Sequence, residues 1–263
     1  MTIEEALHGS CLDAREARLL LAAATGFSEA SVVTYSERVL PAEALERFHG
    51  FVDRRRTGEP VAYILGRKEF YGLELAVNPT VLIPRPETEL LVELSLERGF
   101  SSVADLGTGS GALALALKRN RPKARVVAVE ASAAALAVAK RNATRFNLDV
   151  EFLHGRWLEP LAGERFDLIV SNPPYVAEGD PHLAELAFEP AAALVSGPDG
   201  LGAIRDIVSA VPPHLKPGGW LLLEHGMGQD TAVRKLLAQA GLEEVTTWPD
   251  LAGIPRVTGG RVK

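Results

Sequence analysis

The chain has 263 residues, 47% hydrophobic and 24% charged, so it is long enough to bury more than one hydrophobic core. Its net charge of -6 argues against tight, sequence-independent binding to long nucleic acid, because such binding depends on many Lys and Arg side chains. A single cysteine, Cys11, and six scattered histidines exclude a disulfide framework and a thiolate zinc cluster, and we predict no metal.

Hydropathy gives no sign of a membrane protein. No apolar run approaches the roughly 20 residues that a membrane-spanning helix needs. The first residues, Met1 to Glu5, have neither the basic flank nor the apolar stretch of a signal peptide. We therefore expect a cytoplasmic protein that does not associate with membranes.

The first part of the chain has the pattern of short helices. Asp13 and Glu16 form a capping-box pattern ahead of an apolar stripe, and Pro41 suits the first turn of a later helix. Acidic residues outnumber basic ones here, so the pattern predicts a protein-docking domain over residues 1–68 rather than a nucleic-acid clamp. The basic run Arg54–Arg56 is interpreted as a solvated helix end, with partner docking as the alternative.

The pattern then changes twice. Apolar alternation between turn residues predicts a β-hairpin linker over 69–82. From 83 to 263, strand-length apolar runs alternate with helical stretches, which predicts an α/β domain with a mostly parallel sheet and ligands beyond the carboxyl ends of its strands. The predicted strands are Ser102 to Leu106, Val126 to Glu130, Val150 to Leu153, Phe166 to Ser171, Trp220 to Glu224, Val245 to Trp248 and Arg256 to Arg261.

A glycine-rich loop follows the first of these strands. Gly107, Gly109 and Gly111 let the backbone turn tightly and approach a ligand closely. The loop also fits a dinucleotide fingerprint, and Glu130 could take ribose hydroxyls in either kind of site. Asp105, two residues before the first glycine, would repel a pyrophosphate and attract an ammonium group, which favours S-adenosylmethionine over a nicotinamide cofactor. The alternative is a structural turn with Asp105 as a helix cap.

The fourth strand ends in Asn172-Pro173-Pro174-Tyr175, a stiff loop at the edge where this fold keeps its active site. An amide or exocyclic amine is a poor nucleophile because its lone pair is delocalised. Two acceptors, one for each of its N–H groups, polarise the nitrogen. The Asn172 side-chain oxygen and the Pro173 carbonyl can be these acceptors. Tyr175 would add a flat ring against the planar group. The alternative is a surface turn with a buried tyrosine.

At these residues the chain resembles the HemK/PrmC family, the protein-(glutamine-N5) methyltransferases of peptide chain release factors. The NPPY loop, Asn172 to Tyr175, is by itself shared with adenine-N6 and guanine-N2 methyltransferases. The IPRPETE segment, Ile83 to Glu89, is more specific for the HemK/PrmC family. Besides the two loops, the resemblance covers Pro60 to Gly66, Leu82 to Glu89, Phe188 to Pro190, Leu223 to Gly226 and Arg256 to Thr258.

The resemblance implies a small all-helical N-terminal domain joined by the hairpin to a Rossmann-like, seven-stranded methyltransferase domain that uses S-adenosyl-L-methionine and releases S-adenosyl-L-homocysteine. It implies methylation of the glutamine in the GGQ motif of release factors, which act in translation termination. Together with Asp105, the cofactor residues are expected to be Gly107, Thr108, Gly109, Ser110, Gly111, Glu130, Trp157 and Asn172. The substrate residues are expected to be Asn172, Pro173, Pro174, Tyr175, Arg85 and Glu87, with Asn172, Pro173 and Tyr175 catalytic.

Several interpretations stay open beside this one. Trp157 could face the adenine or pack in the core, and Arg85 with Glu87 could line the substrate pocket or form an ion pair that braces the prolines around them. Arg156 stands where the family pattern leads us to expect an acidic or small polar residue, and the 180–188 stretch is shorter than in the family. We expect a monomer whose partner is the release factor.

Three other functions would each fit part of the sequence. A methyltransferase for adenine N6 or guanine N2 in nucleic acid would use the same NPPY chemistry, but the acidic charge and the IPRPETE segment argue against it, and no stable nucleic-acid binding is expected. A non-catalytic adaptor would leave two intact loops unexplained. A nicotinamide oxidoreductase is disfavoured by Asp105.

Overall fold

The computed structural model describes residues 1–263 and divides them into two units, Met1–Arg67 and Lys68–Lys263. The predicted hairpin is β1 (Arg67–Phe70) and β2 (Leu73–Ala76), so nearly all of it belongs to the second unit. None of the helices combines the length and the apolar character that crossing a bilayer requires.

Short helices with well-defined caps build the first unit. Leu20, Leu21 and Phe48 are fully buried in its core, as the apolar stripes predict. Burying side chains of this size contributes about 1.5–3 kcal/mol each, which lets so small a unit form a core of its own. The helices are α1 (Ile3–Ser10), α2 (Ala14–Thr25), α3 (Glu29–Thr34), α4 (Ala42–Arg56) and α5 (Val61–Leu65).

The start of α2 differs in one detail from the predicted capping box. Asp13 is the N-cap and its carboxylate accepts from the Arg15 and Glu16 amides. The Glu16 side chain does not return to the cap. It pairs with Arg55, 2.8 Å away, because that guanidinium is a stronger partner than a single backbone N–H.

The basic run at the end of α4 is engaged within the first unit. Arg54 pairs with Glu59 at 2.5 Å, and Arg56 donates to the Ser10 carbonyl at 3.0 Å. Together with the pair between Arg55 and Glu16, these contacts agree with the interpretation as a structural helix end.

The second unit alternates strands and helices after its hairpin. Its remaining strands are β3 (Ser102–Leu106), β4 (Arg125–Glu130), β5 (Glu151–His154), β6 (Phe166–Ser171), β7 (Leu215–Glu224), β8 (Glu243–Pro249) and β9 (Pro255–Arg261). Its helices are α6 (Glu89–Arg98), α7 (Ala112–Asn120), α8 (Ala133–Phe146), α9 (Gly202–Ala210) and α10 (Asp230–Gln239).

The seven strands form one sheet in the order β5-β4-β3-β6-β7-β9-β8. The pairs from β5 to β7 are parallel, and β9 pairs antiparallel with both β7 and β8. The strand order reverses between the neighbours β3 and β6, so their carboxyl ends flank the crevice in which such sheets bind ligands. The predicted α/β class and seven strands are confirmed.

The central strands are buried on both sides. Val103 packs in the core on one face of the sheet and Ala104 in the core on the other, as the two-residue period of a strand requires. The prediction for β7 was wrong at its start, because the strand begins at Leu215 rather than Trp220. Leu215 pairs with Phe166 across a register shift, so Gly218 and Gly219 lie inside the strand at an irregularity.

Candidate functional site

A cavity of about 610 Å³ opens in the second unit at the carboxyl ends of the parallel strands. It lies at the strand-order reversal, where the topology predicts a ligand site. Six predicted site residues line it: Gly107, Gly109, Glu130, Trp157, Asn172 and Pro174. The loops after β3, β4, β5 and β6 therefore meet at one cavity.

The glycine loop is held by backbone hydrogen bonds. The amides of Gly107 and Thr108 both donate to the Val129 carbonyl, at 2.9 and 3.0 Å. Gly107 has φ +75, and a Cβ at this position would lie 3.2 Å from the Trp157 ring. Glycine is required here both for backbone conformation and for space. Gly111, with φ +87, is the N-cap of α7.

Asp105 is fully buried at the end of β3 and is not among the residues that line the cavity. Its Oδ2 accepts from the Thr108 hydroxyl at 2.6 Å and from the Ala114 amide at 3.2 Å, so this oxygen serves the first turn of α7. Its Oδ1 is buried without a hydrogen-bond partner. Burial raises the pKa of Asp105 to about 7, and the charge of Glu130 adds to the rise.

Glu130 stands at the carboxyl end of β4, where the prediction placed a ribose acceptor. Its Oε2 accepts from the Gly109 amide and its Oε1 from the Ser132 amide, each at 2.9 Å. These two bonds fix the carboxylate at the cavity wall and tie the glycine loop to the next strand. Each oxygen has further lone pairs with which it can accept from a hydroxyl.

Trp157 lies both at the cavity and against the core, so its predicted contact with the adenine stays a prediction. Its ring lines the cavity and packs against the core on that face of the sheet, while its indole nitrogen is buried without a hydrogen-bond partner. The neighbouring Arg156 is exposed and pairs with Asp206 at 2.6 Å, and both line the cavity. Position 156 thus lacks the expected acidic or small polar residue, and the acidic group nearest to it in the cavity wall is Asp206 of α9.

The acceptor loop, Asn172 to Tyr175, follows Ser171 at the end of β6. The buried Ser171 hydroxyl donates to the Leu106 carbonyl at 2.6 Å. The Asn172 side-chain nitrogen donates to the Thr88 hydroxyl at 3.0 Å. This leaves the Asn172 side-chain oxygen free to accept. The Pro173 carbonyl accepts no hydrogen bond within the chain. The two acceptors predicted for an NH2 group therefore both lack a hydrogen bond within the chain, but only Asn172 lines the cavity, whereas Pro173 is buried beside it.

The loop beyond Tyr175 is fastened to the cavity wall. The Val176 amide donates to the Leu194 carbonyl at 2.8 Å, and the Ser196 amide donates to the Val176 carbonyl at 2.9 Å. Ser196 and the adjacent Val195 line the cavity. The Gln229 side chain donates to the Tyr175 carbonyl at 3.0 Å. Hydrogen bonds thus join the acceptor loop to residues 194–196, the wall segment of the cavity.

Tyr175 does not line the cavity. Its hydroxyl donates to Glu224 Oε1 at 3.4 Å, and its ring lies against Gly226. Burial, followed by the charge of Glu224, raises the pKa of Tyr175 above its usual range. The predicted stacking of this ring on a substrate group therefore stays a prediction, whereas its contact with Glu224 was not foreseen.

Arg85 and Glu87 do not line the cavity, and they do not form the predicted ion pair with each other. Arg85 pairs with the buried Glu189, which also accepts from the Ile83 amide at 3.0 Å. Glu87 is exposed. Glu189 outcompetes Glu87 because its buried carboxylate needs both donors.

Sequence reasoning missed Thr88, Glu189, Glu224 and Asp206. The first three lie in segments that carry the family resemblance, but nothing in the sequence alone showed that Thr88 and Glu224 would meet the acceptor loop. No group of three His, Cys, Asp or Glu side chains that could hold a metal ion is found in the chain.

Comparison with known proteins matches both units. Residues 4–66 match the family model described as PrmC N-terminal domain, and residues 86–240 match the one described as Methyltransferase small domain. The fold is similar to that of a 16S rRNA N2 methyltransferase of T. Thermophilus, which was solved with AdoMet and guanosine. The TM-score is 0.56 at 25% identity, and the match covers 75% of this chain and 50% of that one.

Curated relatives extend the match to nearly the full length. The Release factor glutamine methyltransferase of Xylella fastidiosa (strain Temecula1) is 51% identical and covers 94% of this chain and 92% of its own. The protein of the same name from Burkholderia pseudomallei is 50% identical, with coverage of 99% and 96%. The chain therefore belongs to the family of release factor glutamine methyltransferases.

Proposed function

We propose that this methyltransferase transfers a methyl group from S-adenosylmethionine to the side-chain amide nitrogen, N5, of the glutamine in the GGQ motif of peptide chain release factors. The observation that carries the proposal is the pair of acceptors without a hydrogen bond in the chain, Asn172 Oδ1 and the Pro173 carbonyl, at the end of β6. The names of the relatives support the choice of release factor as the substrate.

The two acceptors match the chemistry of a primary amide. Its NH2 group presents two donors, and each would meet one acceptor of the loop. Both bonds polarise the N–H groups and raise the electron density on the nitrogen, which makes the nitrogen more nucleophilic and orients it. Orientation of this kind can supply up to roughly 7–11 kcal/mol of barrier reduction in well-aligned systems.

The cavity residues fit S-adenosylmethionine. When bound, the cofactor supplies an electrophilic methyl group on a sulfonium. Asp105 does not line the cavity, but it lies at the end of β3 beside the glycine loop, where its unpartnered Oδ1 is a buried acceptor for an ammonium group and its charge would repel a phosphate. Glu130 would accept from ribose hydroxyls, and Trp157 would pack on the adenine. Gly107 leaves space beside that ring.

The helical unit is proposed to dock the release factor. It exposes three large apolar side chains in a short stretch, Val33, Tyr35 and Val39, at 59%, 57% and 69%. Exposed apolar groups of this kind commonly mark protein contacts. Replacing Tyr35 and Val39 together by Asp should raise KM for an intact release factor and leave KM for a short GGQ peptide unchanged. An equal change for both substrates would contradict the docking role.

The proposal is tested by locating the methyl group. The protein is incubated with isotopically labelled S-adenosylmethionine and, separately, with release factor, ribosomal RNA and duplex DNA, and the products are mapped by mass spectrometry. We expect label only on the glutamine of the release factor, delivered by a monomeric cytoplasmic enzyme without stable nucleic-acid binding. Label on adenine or guanine, and none on the release factor, would assign the nucleic-acid alternative instead.

A further inference from the structure

Glu224, at the end of β7, is a buried acidic group to which methyl transfer has so far assigned no role. It is 1% exposed, and its Oε2 has no hydrogen-bond partner. Burial raises the pKa of Glu224 to about 7, whereas hydrogen bonding from Thr88 and from Tyr175 and the charge of Arg256 act in the opposite direction. The exposed Glu87 is the other charge that raises it.

Thr88 connects this carboxyl group to the acceptor loop. Its hydroxyl has one proton and can also accept. It accepts from Asn172 Nδ2 at 3.0 Å, and hydrogen bonding from its hydroxyl lowers the pKa of the Glu224 carboxyl. An ionised carboxylate has no proton to give, so the single Thr88 proton is committed to Glu224. Its oxygen must then receive an N–H from Asn172.

We propose that Glu224 and Thr88 are positioning residues that fix the direction of the Asn172 amide, with its NH2 toward Thr88 and its oxygen toward the substrate. The two ends of an Asn side chain have nearly the same shape, so packing alone does not distinguish them. The ionised carboxylate does, because it allows only one direction of donation along the series from Asn172 through Thr88 to Glu224. The inference rests on the proposed function.

Protonation of Glu224 removes this constraint. A neutral carboxyl can donate to Thr88, whose proton can then go to the Asn172 oxygen, and the rotated Asn172 would present its NH2 to the NH2 of the substrate. Two donors cannot bond to each other, so the rate of methyl transfer should fall as pH is lowered through about 7.

The first test compares Thr88→Val with Thr88→Ser. Both keep a small side chain, but only serine keeps the hydroxyl. With saturating cofactor, we expect kcat of the valine variant to fall at least about 10-fold, because a partly buried donor is left unpaired, while the serine variant stays within about 3-fold of wild type. Wild-type kcat in the valine variant, or equal losses in both, would overturn the inference.

The second test uses Glu224→Gln, which keeps the shape and cannot ionise. We expect the ratio of wild-type to variant kcat to fall about 10-fold between pH 8 and pH 6, as Glu224 becomes protonated. Asp105 and His225 are present in both proteins, so their titration cancels in the ratio. A ratio that is constant over this range would overturn the role of the carboxylate.

A third measurement needs no substrate. The side-chain NH2 resonances of Asn172 in an NMR spectrum, assigned by their loss in Asn172→Ser, should move with pH around 7 in wild type and stay fixed in Glu224→Gln. Resonances that titrate identically in both proteins would overturn the inference. If wild type fails to methylate the release factor, the proposed function fails, and this measurement still decides the inference by itself.

Discussion

Replacing Asp105 by Asn should stabilise the cofactor-free protein and weaken its binding of the cofactor. The Asp105 carboxyl is fully buried, and one oxygen satisfies Thr108 and Ala114 while the other has no partner. Asparagine keeps one carbonyl oxygen for those two donors and cannot ionise. The variant therefore removes a buried charge and leaves the first turn of α7 capped.

The size of the effect follows from the protonation of Asp105. Burial raises its pKa from 3.8 to about 7, so between these values the folded protein binds more protons than the unfolded chain. The free energy of unfolding therefore falls as pH rises, which is the sign expected for a carboxyl with a raised pKa. Integrated from pH 5 to pH 8, this loss is about 2–3 kcal/mol in wild type and absent in the Asn variant.

The assay is urea unfolding without cofactor at several values between pH 5 and pH 8. The stability of the variant relative to wild type should increase with pH, with unchanged urea dependence. Other groups with shifted pKa values are common to both proteins and cancel. In wild type, S-adenosylmethionine affinity should rise roughly fivefold from pH 6 to 7, where an α-amino group still keeps most of its proton, and the variant should show no such rise. A stability difference independent of pH would refute the reasoning.

Three further substitutions test separate parts of the site. Asn172→Ala should lower methyl transfer on the order of 100-fold and leave cofactor affinity within a few-fold, measured by single-turnover kinetics and calorimetry; near wild-type turnover would contradict its role. Glu189→Ala should lower the free energy of unfolding, measured in urea, by about 2–4 kcal/mol, because it leaves the Ile83 amide and the Arg85 guanidinium unpaired. Glu189→Gln should recover part of this loss. Gly107→Ala should lower the free energy of unfolding by about 1–2 kcal/mol and weaken cofactor binding, because the φ of Gly107 is +75 and an added Cβ would press on Trp157. Unchanged cofactor affinity would mean that the loop can shift freely.

The fold was predictable where burial leaves a simple pattern. β3 and β6 have the predicted bounds because each is a short, mostly apolar run that is buried on both faces of the sheet. β7 was predicted too short because its glycines resemble a turn, and only pairing with β6 shows that the strand continues through them. Local pattern cannot detect a partner strand that lies far away in the sequence.

The candidate site was predictable in its loops and not in its supports. Asn172 and Pro173 could be identified because their chemistry is local, in a stiff turn after a buried strand. Thr88 and Glu224 could not, because each contacts the acceptor loop from a distant part of the chain. The partner of Arg85 was missed for the same reason, since Glu189 follows it by 104 positions.

The pairing of Val176 with the wall segment has a kinetic consequence. Because backbone hydrogen bonds join the acceptor loop to one side of the cavity, a fluctuation that opens the cavity should also displace the carbonyl groups that we propose bind the glutamine. S-adenosylhomocysteine and the methylated protein should then dissociate together. Stopped-flow measurements should accordingly find slower escape of S-adenosylhomocysteine while a release factor occupies the loop.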